Sequence, residues 1–245
     1  MTPEPIEHIT IEQRFCGPPA SGNGGYVCGR LGAYINGCAK VRLSIPPPLG
    51  VPLAVYRTED GAALKDGDRK VAQAWPSQFN LAIPEAPSMT EAGTMAERYV
   101  GLHDHAFSTC FVCGPDRALG DGLRIFPGFS HSLAMVASPW TPDASLADAA
   151  GRIHPWFIWS ALDCPSGWAF MHKNKGPAVL GEFCVRIDEV IEVNQPMVVI
   201  GWELQHKGRK HHTASALFHD DGRLVACATA LWFEIDLAHL GGTAA

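Results

Sequence analysis

The 245-residue sequence is short of charge: only 18% of its residues are Asp, Glu, Lys or Arg, and 19 basic against 25 acidic side chains leave a formal net charge of −6. With no basic excess to follow a phosphate backbone, nucleic acid is not expected as a partner. Also missing is any apolar run near the roughly 20 residues that span a bilayer. Its first segment, Met1 to Phe15, has neither the basic nor the apolar stretch of a secretory leader. These absences lead to the expectation of a cytoplasmic protein with no membrane partner. What is present is a hydrophobic content of 47%, which excludes a disordered chain and leaves room for one large or two small domains.

Eight cysteines are few for a disulfide-stapled domain of this length, and most sit inside apolar segments, where they read as reduced core thiols. Cys110 and Cys113 differ, because a C-x-x-C turn can supply half of a tetrahedral zinc site, and His103 and His105 lie just upstream. No second C-x-x-C exists, so an ordinary turn is the preferred reading. The expectation is no metal and no cofactor, with Cys110 and Cys113 as weak candidates.

Period-two alternation predicts strands near Glu7–Phe15, Ala39–Ile45 and Val51–Arg57, and a hairpin over Ala63–Ala74 that turns at Asp66-Gly67. Between the first two strands, Ser21–Asn36 reads as a glycine-rich helix that only tertiary packing can hold, since each glycine lowers helix propensity by up to ~1 kcal/mol relative to Ala. From Trp75 to about Gly120 the pattern dissolves, apart from a short helical stretch around Thr90–Tyr99. Strands return near Leu123–Ile125 and Ser132–Ser138, followed by an apolar helix from His154 through Asp163. Four strong strands close the chain, at Ala178–Val190, Met197–Gln205, His212–His219 and Leu224–Ile235.

A helix followed by antiparallel strands thus occurs twice, and the stretch from Asp66 to Trp75 resembles that from Asp221 to Trp232. The predicted class is α+β, with residues 1–75 as one unit, 76–121 as a linker carrying the C-x-x-C turn, and 122–245 as a second unit. A helix with no polar stripe, such as Trp156–Leu162, needs a sheet wrapped around it.

The run Cys110-Phe-Val-Cys113-Gly-Pro-Asp-Arg117, followed by Gly120-Asp-Gly-Leu-Arg-Ile125, resembles the opening of thioesterases of the phenylacetic-acid-pathway type, in the hotdog superfamily. Leu162-Asp163, Gly208-Arg209-Lys210 and Asp221–Ala226 match that family's order and spacing. The resemblance covers about residues 106–236, and residues 7–75 weakly. Two copies in one chain resemble the double-hotdog acyl-CoA thioesterases, which implies two fused hotdog units, each a long helix wrapped by a curved antiparallel sheet. Single-hotdog relatives open the helix with His-Gly-Gly and place an acid nine residues after that His. Here the second half has His154-Pro155-Trp156 and Asp163, whereas the first has Asn23-Gly24-Gly25 and Gly32. Each half keeps what the other lacks.

Thioester hydrolysis needs a backbone N–H at a helix N-terminus to hold the oxyanion and a carboxylate to activate water. Nine residues of helix extend about 13 Å, too far for one helix to supply both. The resemblance therefore implies one site shared between halves, with Asp163 as base or nucleophile and Asn23, Gly24 and Gly25 at the oxyanion. Its counterpart would pair Pro155, which has no N–H, with Gly32. The substrate implied is a small-molecule acyl thioester, with coenzyme A only as part of it, and the assembly implied is a homodimer.

Each candidate has a plainer reading beside this one. Asp163, followed by Cys164-Pro165, could cap a new helix start. His154 could orient ligand or simply open a helix, and Trp156, Trp159, Trp168 and Phe170 could line an acyl pocket or fill the core. Lys207, Arg209 and Lys210 could meet coenzyme A phosphates or form a solvated turn. Glu182 could face the site or sit in a salt bridge, and Cys164 has no His placed to activate it. The Gln that double-hotdog relatives carry in the last strand has no equivalent in Val225–Ala230. Two further readings therefore stand beside hydrolysis: a non-catalytic thioester-binding protein, and an enoyl-thioester hydratase using Asp148 and His154.

Overall fold

A computed structural model describes residues 4–173 and 176–236. In the N-terminal unit, strand β1 (Glu7–Thr10) leads to helix α1 (Gly24–Gly32), then β2 (Ala39–Leu43), β3 (Pro52–Thr58), β4 (Gly61–Asp66) and β5 (Arg69–Pro76). Helix α2 (Met89–Ala96) and strand β6 (Gly128–Ser130) precede the second unit. That unit contains β7 (Met135–Trp140), helix α3 (Pro155–Met171), β8 (Ala178–Ile187), β9 (Met197–Lys207), β10 (Lys210–His219) and β11 (Leu224–Glu234).

Among the described residues, eleven strands form one antiparallel sheet in the order β1-β3-β4-β5-β2-β8-β11-β10-β9-β7-β6. Read outward from the centre, the two halves carry the same order, with β7, β8, β9, β10 and β11 standing for β1 to β5. They meet where β2 pairs with β8, Ala39 opposite Val185 and Arg42 opposite Glu182. The duplication read in the sequence is therefore an approximate two-fold relation in space. Hairpin turns use glycine where positive φ is needed, at Gly67 (56°) and Gly208 (58°).

Helices α1 and α3 pack on each other and against the sheet. Residues Phe157 through Phe170 of α3 are all buried, packed between α1 and strands β7 to β11. Helix α1 approaches α3 through Gly25, Gly29 and Gly32, spaced to share one face. A Cβ on Gly25 would lie 2.5 Å from the Asp163 Cβ, and one on Gly29 would lie 2.6 Å from the Trp156 Cα. The glycines that weaken α1 as an isolated helix are what let two backbones meet.

Helix α3 continues through Pro165, although proline removes one helical N–H and crowds the preceding turn. The loosened turn is held from outside: Ser215 Oγ donates to the Leu162 carbonyl and Ser166 Oγ to the Asp163 carbonyl, both at 2.7 Å. Trp232 Nε1 in turn donates to Ser166 Oγ at 2.9 Å. Asp163 therefore sits in mid-helix, and the reading in which it caps a new helix does not hold.

The segment expected to be a linker is partly core. Its helix α2 opens on a Ser88/Glu91 capping box and packs on β6, β7 and β9. Cys110 to Cys113 are buried, and the Phe111 ring meets Phe15, Tyr26 and Phe157. Leu123–Ile125, expected as a strand, instead bonds to Phe111 and Val112 and bends at Arg124, whose φ is 52°. Among the described residues no helix is long and apolar enough to cross a membrane.

Candidate active site

Asn23 caps α1: its Oδ1 accepts the Tyr26 N–H at 2.9 Å, which turns the side-chain Nδ2 toward α3. There Asp163 Oδ2 accepts from Asn23 Nδ2 at 2.8 Å and from the Gly25 backbone N–H at 2.9 Å. Asn23, Gly25 and Asp163, assigned to one site from two distant halves of the sequence, are thus in direct contact. Gly24 lies beside them, its backbone close to Leu180 and Leu43.

The carboxylate is deeply enclosed. Asp163 is 1% exposed and Asn23 2%, and Asp163 Oδ1 has no hydrogen-bond partner. Burial raises the Asp163 pKa to about 7, against the Gly25 N–H and Asn23 amide, which favour the charged form, while neighbouring Cys110 adds to the rise. One oxygen is held by two donors and the other is free.

The Gly25 N–H is already used. It belongs to the first turn of α1, where N–H groups have no helical acceptor and the dipole end is positive. Asp163 Oδ2 therefore occupies the anion position of that first turn.

The other sequence candidates lie elsewhere. His154 precedes α3 and stacks on Trp156 at 4.3 Å, nine residues before Asp163. Trp156 packs against Gly29, and Trp159 fills the space at Gly32, where the second half's counterpart site would be. Trp168 packs on Tyr99 and His105, and Phe170 stacks on His211. Glu182 bridges to Lys40 at 3.1 Å and Arg42 at 2.9 Å across the β2–β8 seam. Lys207, Arg209 and Lys210 form the exposed β9–β10 turn beyond the C-terminal half of α3. Asp148 is tied to Arg152 at 2.8 Å in the loop before α3.

A cleft of about 880 Å³ opens at the far end of α1, lined by Tyr34, Arg42, Arg57, Lys70 and Trp75 among others. Sequence reasoning did not single it out, because its residues come from four separate segments with no common motif. It also missed that Cys164 reaches the C-x-x-C turn, 3.7 Å from Cys110 sulfur to sulfur.

Comparison with known structures places this architecture. A thioesterase candidate from Novosphingobium aromaticivorans aligns over 94% of this chain and 95% of its own, with a TM-score of 0.63 and 11% identity. A thioesterase II candidate from Thermobifida fusca aligns over 96% and 100%, with a TM-score of 0.60 and 14% identity. A protein of unknown function with a hotdog fold from Alicyclobacillus acidocaldarius aligns over 94% and 92%, at 0.58 and 11%. No protein-family model and no curated protein matches the sequence. In its fold the chain is a double hotdog, similar to these structures.

Proposed function

We propose that this protein hydrolyses an acyl thioester, carried by coenzyme A or an acyl-carrier protein. The observation that carries the reading is the contact of Asp163 with the Gly25 N–H at 2.9 Å, a carboxylate and an oxyanion donor converging from opposite halves. In the proposed step, water gives a proton to Asp163 as its oxygen bonds to the thioester carbon. The carbonyl electrons move onto oxygen, which the Gly25 N–H stabilises. Collapse breaks the C–S bond, and the sulfur leaves as thiol with that proton. Lys207, Arg209 and Lys210 would meet the phosphates of coenzyme A, and His154 and Trp156 would bound the substrate more remotely. The assembly proposed is a cytoplasmic homodimer, which light scattering would report as twice the 26.4 kDa chain mass.

A second reading is favoured by the near-complete enclosure of Asp163: a thioester-binding protein in which the carboxylate only clips α1 to α3. Thiol release from an acyl-CoA panel separates the two. Turnover that disappears in Asp163→Asn supports hydrolysis, and turnover that survives in a folded Asp163→Asn protein overturns it. Hydration of an enoyl thioester without thiol release would instead indicate the hydratase class.

A further inference from the structure

Three sulfurs meet where the segment between the two units crosses α3. Cys110, Cys113 and Cys164 are all buried, and their Sγ atoms lie within 4.8 Å of one another. Cys110 and Cys164 are 3.7 Å apart, close to the edge of about 3.8 Å that a tetrahedron of 2.3 Å zinc–sulfur bonds requires. The turn itself is tight. Gly114 N–H bonds to the Cys110 carbonyl at 2.9 Å, and a Cβ at 114 would lie 2.4 Å from the Ser108 oxygen.

The surroundings are those of sulfur acting as acceptor. His105 Nδ1 accepts the Phe107 N–H at 3.0 Å, so in the neutral ring Nε2 carries the proton and donates to Cys113 Sγ at 3.2 Å. The Trp168 Nε1–H is buried with no hydrogen-bond partner, and its ring packs on His105 with centroids 5.4 Å apart. Asn23 Nδ2 approaches Cys110 at 3.9 Å. Among the described residues no oxygen accepts from any of the three thiols, so donors converge on sulfur with nothing for an S–H to bind except another sulfur. Three sulfurs also cannot all pair as disulfides. N–H groups directed at a sulfur triad are the second layer that holds metal-bound thiolates.

We propose that Cys110, Cys113 and Cys164 bind a thiophilic d10 cation, zinc, as three thiolates with a water in the fourth position. His105 is a positioning residue that fixes Cys113 through its N–H. The ion would join the C-x-x-C turn to α3 one residue from Asp163, a junction between segments more than 50 residues apart in sequence. Metal binding releases the thiol protons and adds its free energy to that of folding.

The test is metal analysis of full-length protein purified under reducing conditions without chelator, followed by zinc titration of the stripped protein against a competing chelator. About one zinc per chain is expected. Cobalt substitution of the wild-type protein should give thiolate-to-cobalt charge-transfer absorption, a readout that needs no variant. Cys113→Ser and Cys164→Ser should lose the ion, and His105→Gln should weaken it by about 10–100-fold. Cys38→Ser should keep it, although Cys38 and Cys184 also form a 3.7 Å sulfur pair. Less than about 0.1 zinc per chain with no binding on titration would overturn the proposal. A folded Cys164→Ser protein with full zinc, or cobalt spectra without thiolate bands, would do the same. Stoichiometry is read without turnover, so its failure is distinct from failure of the hydrolase reading.

Discussion

Asp163 accepts the Gly25 backbone N–H at 2.9 Å, from a position 138 residues further along the chain and on a different helix. The carboxylate thereby occupies the anion position of α1's first turn, and the catalytic reading requires a substrate oxygen to displace it. Asp163→Asn keeps the shape and an acceptor for both donors while removing the base. The expected outcome is a folded protein whose thioester turnover falls by at least about 100-fold, the lower end for loss of a general base, measured as thiol release.

The same residue sets a pH dependence of stability. Its carboxyl is raised to about 7 by burial, against 3.8 for the free side chain, so between those values the folded state binds the proton that the unfolded state has lost. Stability from this group is fully present below about pH 4 and falls as pH rises to about 7, by an amount of order 4 kcal/mol. Denaturant unfolding at pH 5 and pH 8, with chelator present, should show about 3 kcal/mol of that loss in wild type. The Asp163→Asn protein should lack it.

Small residues packed against α3, on α1 and on β9, are required by contact. Gly29→Ala places a methyl 2.6 Å from the Trp156 Cα, and Gly201→Ala places one 2.1 Å from the Pro165 carbonyl oxygen. Both clash with backbone, which cannot swing away, so each should cost about 1–3 kcal/mol or more. Gly93→Ala in α2 meets nothing within 4 Å and should stabilise by up to about 1 kcal/mol. Thermal melts of the three proteins would order them, and equal melting temperatures would refute the packing account.

Asn23→Ala removes two functions at once, the cap on Tyr26 N–H and one donor to Asp163. Loss of the cap costs about 1 kcal/mol. Loss of the donor leaves the carboxylate dependent on Gly25 alone and raises its pKa further. Asn23→Ser restores a cap without reaching α3, so comparing the two by denaturant unfolding separates the contributions. Equal destabilisation by Ala and Ser would mean that the bond to Asp163, and not the cap, dominates.

Much of this was legible in the sequence because duplication repeats a signal. The hairpin ending at Trp75 and the one ending at Trp232 carry the same turn-and-return pattern, and the structure makes them β5 and β11 in equivalent positions. The pairing of Asp163 with Asn23 and Gly25 could be anticipated because the resemblance to single-hotdog relatives marked these positions and helix length forbids one helix from supplying both groups. Pro165 misled, since its disruption of α3 is offset by hydroxyls from Ser215 and Ser166, and Ser215 lies 50 residues away. Leu123–Ile125 has strand composition, but its partners are loop residues brought near only by tertiary packing. The approach of Cys164 to Cys110 was invisible for the same reason: linear spacing records the turn and not the helix that crosses it.

The seam where β2 pairs with β8 joins two units that also share one polypeptide. A site assembled from separate chains is lost on dilution, to an extent set by the dissociation constant of the pair. Here the partner helix is tethered, and its effective concentration is set by a connection whose middle is itself packed into the core. Turnover per chain at the Asn23–Gly25–Asp163 site should therefore be independent of protein concentration, whatever the chain does with further copies of itself.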